Sequence, residues 1–106
     1  MMKEINTTEQ FQATIESEEP VILKFEAEWC PDCKRMDMFI GDILEEYNNY
    51  EWFVVNNDNL PEPAQKYEVM GIPSILIFQK GEKIAHLHSA NAKTPEEVEG
   101  FLAESL

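Results

Sequence analysis

Positive charge is scarce in this chain. Eight Lys and Arg stand against 21 Asp and Glu among 106 residues, a net charge of −13 with His neutral. Such a surface repels nucleic acid and anionic membranes, so neither is an expected partner. A basic partner face would be attracted, although an acidic excess is first of all a solvated surface. Long apolar runs are missing too: no stretch approaches the ~18 apolar residues that a membrane span needs. The stretch from Met1 to Asn6 carries neither the apolar core nor the small-residue cleavage site of an export signal. A cytoplasmic location is therefore the expectation, and the Asn6-Thr7-Thr8 sequon then has no use. Repeats, low-complexity tracts and linkers are absent, which predicts a single domain over residues 1–106 and a monomer. Cysteine is scarce as well: the chain has only Cys30 and Cys33.

What is present alternates between strand and helix patterns. A short strand is expected over residues 2–6. Thr7 and Gln10 are spaced as a capping box for a helix through about Ser17, with Phe11 and Ile15 on one face. Residues 21–25, Val-Ile-Leu-Lys-Phe, read as a largely buried strand. A helix follows the cysteine pair to about Tyr47, with Met36, Ile40, Ile43, Leu44 and Tyr47 at helical spacing. Residues 52–55 are the next strand. Pro61 and Pro63 introduce a short helix over 64–67, and Gly71 closes that segment. Residues 74–78 and 83–88 read as strands joined by a turn at Lys80-Gly81-Glu82. Thr94 and Pro95 open a last helix, with Val98, Phe101, Leu102 and Leu106 turned inward. This order predicts a mixed central sheet, parallel at first and antiparallel at the end, with helices on both faces.

The cysteines fall at the carboxyl end of a predicted strand, where sites in open α/β sheets lie. There the free N–H groups and dipole of a helix N-terminus favour a negative sulfur on Cys30. Cys33, one turn deeper, should be the less exposed thiol and could resolve a mixed disulfide on Cys30. Pro31 suits the first helical position, since its missing N–H has no partner there. Two reduced core cysteines or a structural disulfide would use the same residues. In a reducing compartment, a lone C-x-x-C after a strand points instead to redox chemistry. Zinc is disfavoured, because only His86 and His88 could join the thiolates and their spacing is wrong.

The residues Ala27-Glu28-Trp29-Cys30-x-x-Cys33-Lys34, Gly71-Ile72-Pro73-Ser74 and Phe78-x-x-Gly81-Glu82 together resemble the thioredoxin family, from the first helix to the last. The resemblance implies the thioredoxin fold, an α/β architecture with a five-stranded mixed sheet flanked by four helices. It implies a cis Ile72-Pro73 bond facing the disulfide, X-Pro being where cis bonds occur. Trp29, Ile72 and Pro73 would then form the substrate face, with the Ile72 backbone pairing with a substrate strand.

The chain also departs from the family. Its Pro31-Asp32 dipeptide resembles a CPDC subgroup. Asp32 favours the helix start, but its charge opposes a thiolate at Cys30 and would repel acidic substrates. Lys24 stands where thioredoxins carry a buried Asp beneath the second cysteine, and Val54 where they carry the accompanying lysine. Lys24 and Glu26 share a strand face, so a partly buried pair that handles protons for Cys33 is one expectation. Two side chains that reach solvent at the strand end are the other. Glu26 replaces a common tryptophan, and Ser89 replaces a glycine that lets partners approach. Met38 replaces a helix-kinking proline, so a straighter helix is expected. His88 could fall near the site, or simply be exposed.

The function expected is a thiol–disulfide oxidoreductase that reduces protein or small-molecule disulfides through Cys30 and Cys33. No bound cofactor is expected beyond that redox-active disulfide. Thioredoxin reductase or a low-molecular-weight thiol would return the electrons. A redox-silent or redox-sensing binding module on the same fold is the alternative.

Overall fold

The computed structural model describes residues 2–106; Met1, at the start of the stretch read for an export signal, lies outside them. The elements in chain order are β1 (Lys3–Ile5), α1 (Thr8–Ile15), β2 (Val21–Glu26), α2 (Pro31–Glu46), β3 (Glu51–Asn56), α3 (Glu62–Lys66), β4 (Ser74–Gln79), β5 (Glu82–Leu87) and α4 (Pro95–Ser105). A single 3-10 turn, Ser89–Asn91, precedes α4 and had no sequence signal. The predicted elements all form, with ends displaced by at most two residues, where fraying and capping decide the boundary.

The sheet order is β1-β3-β2-β4-β5. Strands β1, β3 and β2 are parallel, β4 runs antiparallel to β2, and β5 antiparallel to β4. The β4–β5 turn places Lys80 at φ +54° and Gly81 at φ +82°, the left-handed region that favours glycine at the second position.

Period-two alternation splits the central strands between two cores. Leu23, Phe25, Leu76 and Phe78 face α1 and α3, joined by Phe11 and Ile15. Ile22, Ile75 and Ile77 face α2 and α4, joined by Met36, Ile40, Ile43, Val98 and Leu102. Strand parity therefore turns Lys24 toward α2, the only charged residue on β2 that is fully buried. Its sheet neighbours are Val54 and Ile75.

The predicted caps form in two different ways. Thr94 accepts from the Glu97 N–H while Glu97 Oε1 accepts from the Thr94 N–H, a complete capping box. Thr7 likewise accepts from the Gln10 N–H at 3.0 Å, but Gln10 Oε1 accepts from Asn6 rather than from Thr7. Gln10 also donates to the Glu4 carbonyl, so it ties the helix start to β1. Helix α2 is continuous through Met38.

Candidate active site

Cys30 is the N-cap of α2, with extended backbone, and Pro31 follows at the first helical position. The Cys30 sulfur accepts from the Cys33 N–H at 3.1 Å, so the helix start holds it by one of its free amides. The same geometry would stabilise a thiolate there once the pair is reduced. Cys30 and Cys33 are joined as a disulfide, with Cα atoms 5.3 Å apart. Both are buried, at 3% and 2% exposure, so the contrast in exposure expected of them is slight. The wall is made by Ala27 and Ile72.

The facing loop comes from far along the chain. The Ile72-Pro73 bond is cis, as the resemblance implied, and the Ile72 carbonyl oxygen lies 3.7 Å from the Cys30 sulfur. Ser74 Oγ donates to the Gly71 carbonyl at 2.6 Å, and Ser89 Oγ donates to the Ile72 carbonyl at 3.1 Å. Ser89 also fills the space beside Gly71, where an added Cβ would meet the serine Cβ at 3.1 Å. Trp29 and Met70 are exposed large side chains on opposite banks of the resulting groove. The groove holds about 400 Å³, and Asp32 and Asn57 contribute to its lining. The side-chain amide oxygen of Asn57 is buried there without a partner, a feature no sequence signal marked.

Charged side chains surround the pair at two levels. Beneath it, Lys24 is fully buried and its ammonium pairs with Glu26 Oε1 at 2.7 Å and with Asp37. The Lys24–Glu26 pair thus forms, and the alternative that both reach solvent does not hold for Lys24. Asp37 escaped the sequence reading, yet it follows Cys33 by four residues, on the same side of α2. Above it, Asp32 bridges Arg35 at 2.6 Å and Lys93 at 2.8 Å. The hydrogen bond from Lys93 does most to hold the Asp32 carboxyl below its ordinary pKa. The charge of Lys93 comes next; desolvation opposes them, and the charge and hydrogen bond of Arg35 lower the pKa by less. Asp32 is therefore not the bare negative charge that its sequence position suggested.

His88 takes no part in this groove's lining. It stacks on His86, with ring centroids 3.8 Å apart. Burial, then the neighbouring His88 and Lys83, push the His86 pKa down to about 4. Among the described residues, no group of three or more His, Cys, Asp or Glu is placed to hold a metal ion. No helix among them is long and apolar enough to cross a membrane.

A vicinal cysteine pair at a strand-to-helix junction, facing a cis-proline across a groove, defines a dithiol–disulfide exchange protein. The sequence profile described as Thioredoxin matches residues 2–103. Thioredoxin-1 of Saccharomyces cerevisiae is 31% identical over 91 residues, covering 86% of this chain and 88% of that one. Ovis aries thioredoxin is 32% identical over 98 residues, or 91% of this chain and 93% of its own. The chloroplastic M-type thioredoxin of Brassica napus is 34% identical over 91 residues, 85% of this chain, which spans about half (51%) of that relative. In fold, a Plasmodium falciparum thioredoxin superposes with a TM-score of 0.87 at 22% identity, covering 99% of this chain and 100% of that one. The chain belongs to the thioredoxin family, and it is a dithiol–disulfide oxidoreductase that works through Cys30 and Cys33.

Proposed function

We propose that this protein is a reductase of protein or small-molecule disulfides, working as a single cytoplasmic domain and as a monomer. The observation that carries this reading is the Cys30 sulfur at the wall of an open groove, 3.7 Å from the carbonyl that precedes the cis-proline. In the reduced protein the Cys30 thiolate attacks one sulfur of the substrate. The substrate S–S bond breaks, a Cys30–substrate disulfide forms, and the first substrate thiolate leaves and takes a proton. Cys33 then loses its proton and attacks Cys30. The Cys30–Cys33 disulfide forms and the second substrate thiol is released, two electrons having passed to substrate. Exposed Trp29 and the Ile72 backbone orient the substrate, and Pro31 preorganises the helix start. Thioredoxin reductase with NADPH, or a low-molecular-weight thiol, returns the two electrons. No bound cofactor, nucleic acid or membrane enters this scheme.

Cys33 must be deprotonated before it attacks. Lys24 and Glu26 handle that proton, with Glu26 as acceptor and the ammonium steadying the charge. The support is their contact on the α2 face of the sheet, with Asp37 one turn from Cys33 completing it. Glu26→Gln should slow reduction and shift the pH–rate profile; an unchanged profile removes the assignment.

Insulin reduction with a dithiol donor tests the whole reading. Wild type should be active, Cys30→Ser inert, and Cys33→Ser should accumulate mixed disulfides on Cys30. Equal turbidity with wild type and Cys30→Ser would refute it and favour a redox-silent binding module.

A further inference from the structure

The rim of the groove carries an ion pair that the two-cysteine chemistry does not require. Asp32 stands between the cysteines and lines the groove. Its Oδ2 accepts from Lys93 Nζ at 2.8 Å across 61 residues of sequence, and its Oδ1 accepts from Arg35. Lys93 lies between the 3-10 turn that carries Ser89 and the start of α4. The pair thus fastens the helix that bears the nucleophile to the segment whose Ser89 holds the Ile72 carbonyl.

The consequence is electrostatic. Asp32 is the one charged residue in the groove lining. Left bare, it would present a negative charge to every incoming disulfide in a chain already at −13. Nearby exposed acids, Glu28 before Trp29 and Asp58 beyond β3, add to that field, while exposed Lys34 subtracts from it. Lys93 and Arg35 decide the local balance because they touch the carboxylate itself.

We propose that Lys93 is a specificity-determining residue of this exchange reaction: clamped on Asp32, it admits disulfides flanked by carboxylates to Cys30. The inference rests on the reductase reading. The reaction read is one dithiol protein plus one disulfide giving one oxidised protein plus two thiols, with no further reactant.

Two small probes of opposite charge test it. Glutathione disulfide is anionic and cystamine is dicationic at neutral pH. The pre-reduced full chain is mixed with each at low ionic strength, and the rate of Cys30–Cys33 oxidation is followed by separating the two protein forms. Lys93→Met should lower the glutathione-disulfide to cystamine rate ratio by about threefold or more, the size of one unit charge a short distance from the reacting sulfur. Lys93→Arg should keep the wild-type ratio. Asp32→Asn added to Lys93→Met should restore it, since one positive and one negative charge are then both gone and Arg35 leaves the local sum as in wild type. Added salt should shrink the difference. A ratio unmoved by Lys93→Met, or moved equally by Lys93→Arg, would overturn the inference while leaving the reductase reading intact. Failure of the wild type to reduce either probe would overturn both.

Discussion

Two charge clusters bracket the cysteine pair, and each is the inverse of the other. Above, one carboxylate, Asp32, is held by two cations, Lys93 and Arg35. Below, one ammonium, Lys24, is held by two carboxylates, Glu26 and Asp37. The bonds are alike; the surroundings are not. Lys24 is wholly out of water between Val54 and Ile75, while Asp32 keeps more than a third of its side chain in solvent. Water screens the upper cluster, so its value lies in steering what approaches rather than in holding the fold. In the lower cluster the ammonium itself is shut off from water, although Glu26 and Asp37 keep 29% and 58% of their side chains exposed, so no water replaces a partner that Lys24 loses. There an unpaired charge is expensive, and the same number of contacts becomes a condition of folding.

Removing both carboxylates below, as Glu26→Gln with Asp37→Asn, should have the largest effect on stability. It strands a buried ammonium, at a cost of about 3 kcal/mol in urea unfolding. A loss near zero would mean that Lys24 finds water, and the contrast between the clusters would fail. Lys24→Met sharpens the point from the other side. It replaces the buried charge by a flexible apolar chain of similar length and leaves two carboxylates that can reach solvent. Its urea midpoint should equal or exceed wild type. Lys93→Met and Asp32→Asn, by contrast, should leave the midpoint where it is while changing probe selectivity. A large shift in midpoint would make the upper cluster structural.

Acid gives the smallest and most graded test. Asp32 is held below its ordinary pKa, so its contribution is present above that value and disappears only as pH falls through the lowered one. Selectivity between the two probes should therefore persist at pH 5. Stability should meanwhile already be declining through His86. That ring is neutral when folded, with a pKa of about 4, and it protonates near 6.5 when unfolded. The unfolded chain binds more protons between those values, so stability falls as pH drops from about 6.5 to 4. His86→Phe keeps a ring against His88 and should flatten that decline in thermal melts. A melt profile identical to wild type would show that His86 is open to solvent.

Legibility in the sequence followed the length scale of each interaction. Cys30 and Cys33 were readable because their chemistry sits within one turn. The Thr94 cap was readable for the same reason, since its partner Glu97 is three residues away. The Lys24–Glu26 pair was half readable: strand parity puts both on one face, but not whether they meet or reach solvent. Asp37 was hidden among ordinary helix-surface acids until β2 and α2 were packed together. Lys93 was hidden more deeply, because nothing local distinguishes it from any exposed lysine. Gln10 shows the reverse error, a local signal correctly placed whose side chain was drawn one residue further by β1.

Local residues alone specify that two electrons can be exchanged at one strand-to-helix junction, and that alternating elements carry it. Backbone hydrogen bonding, apolar periodicity and the proximity of the two thiols are local, so local residues suffice to set them. Which charges meet was settled by the packing of elements distant in sequence. It buried Lys24 against Glu26 and Asp37, and it brought Lys93, 61 residues away in sequence, onto Asp32 at the rim of the groove. Coulomb energy depends on the distance between charges and on the water around them, and both are products of the completed fold.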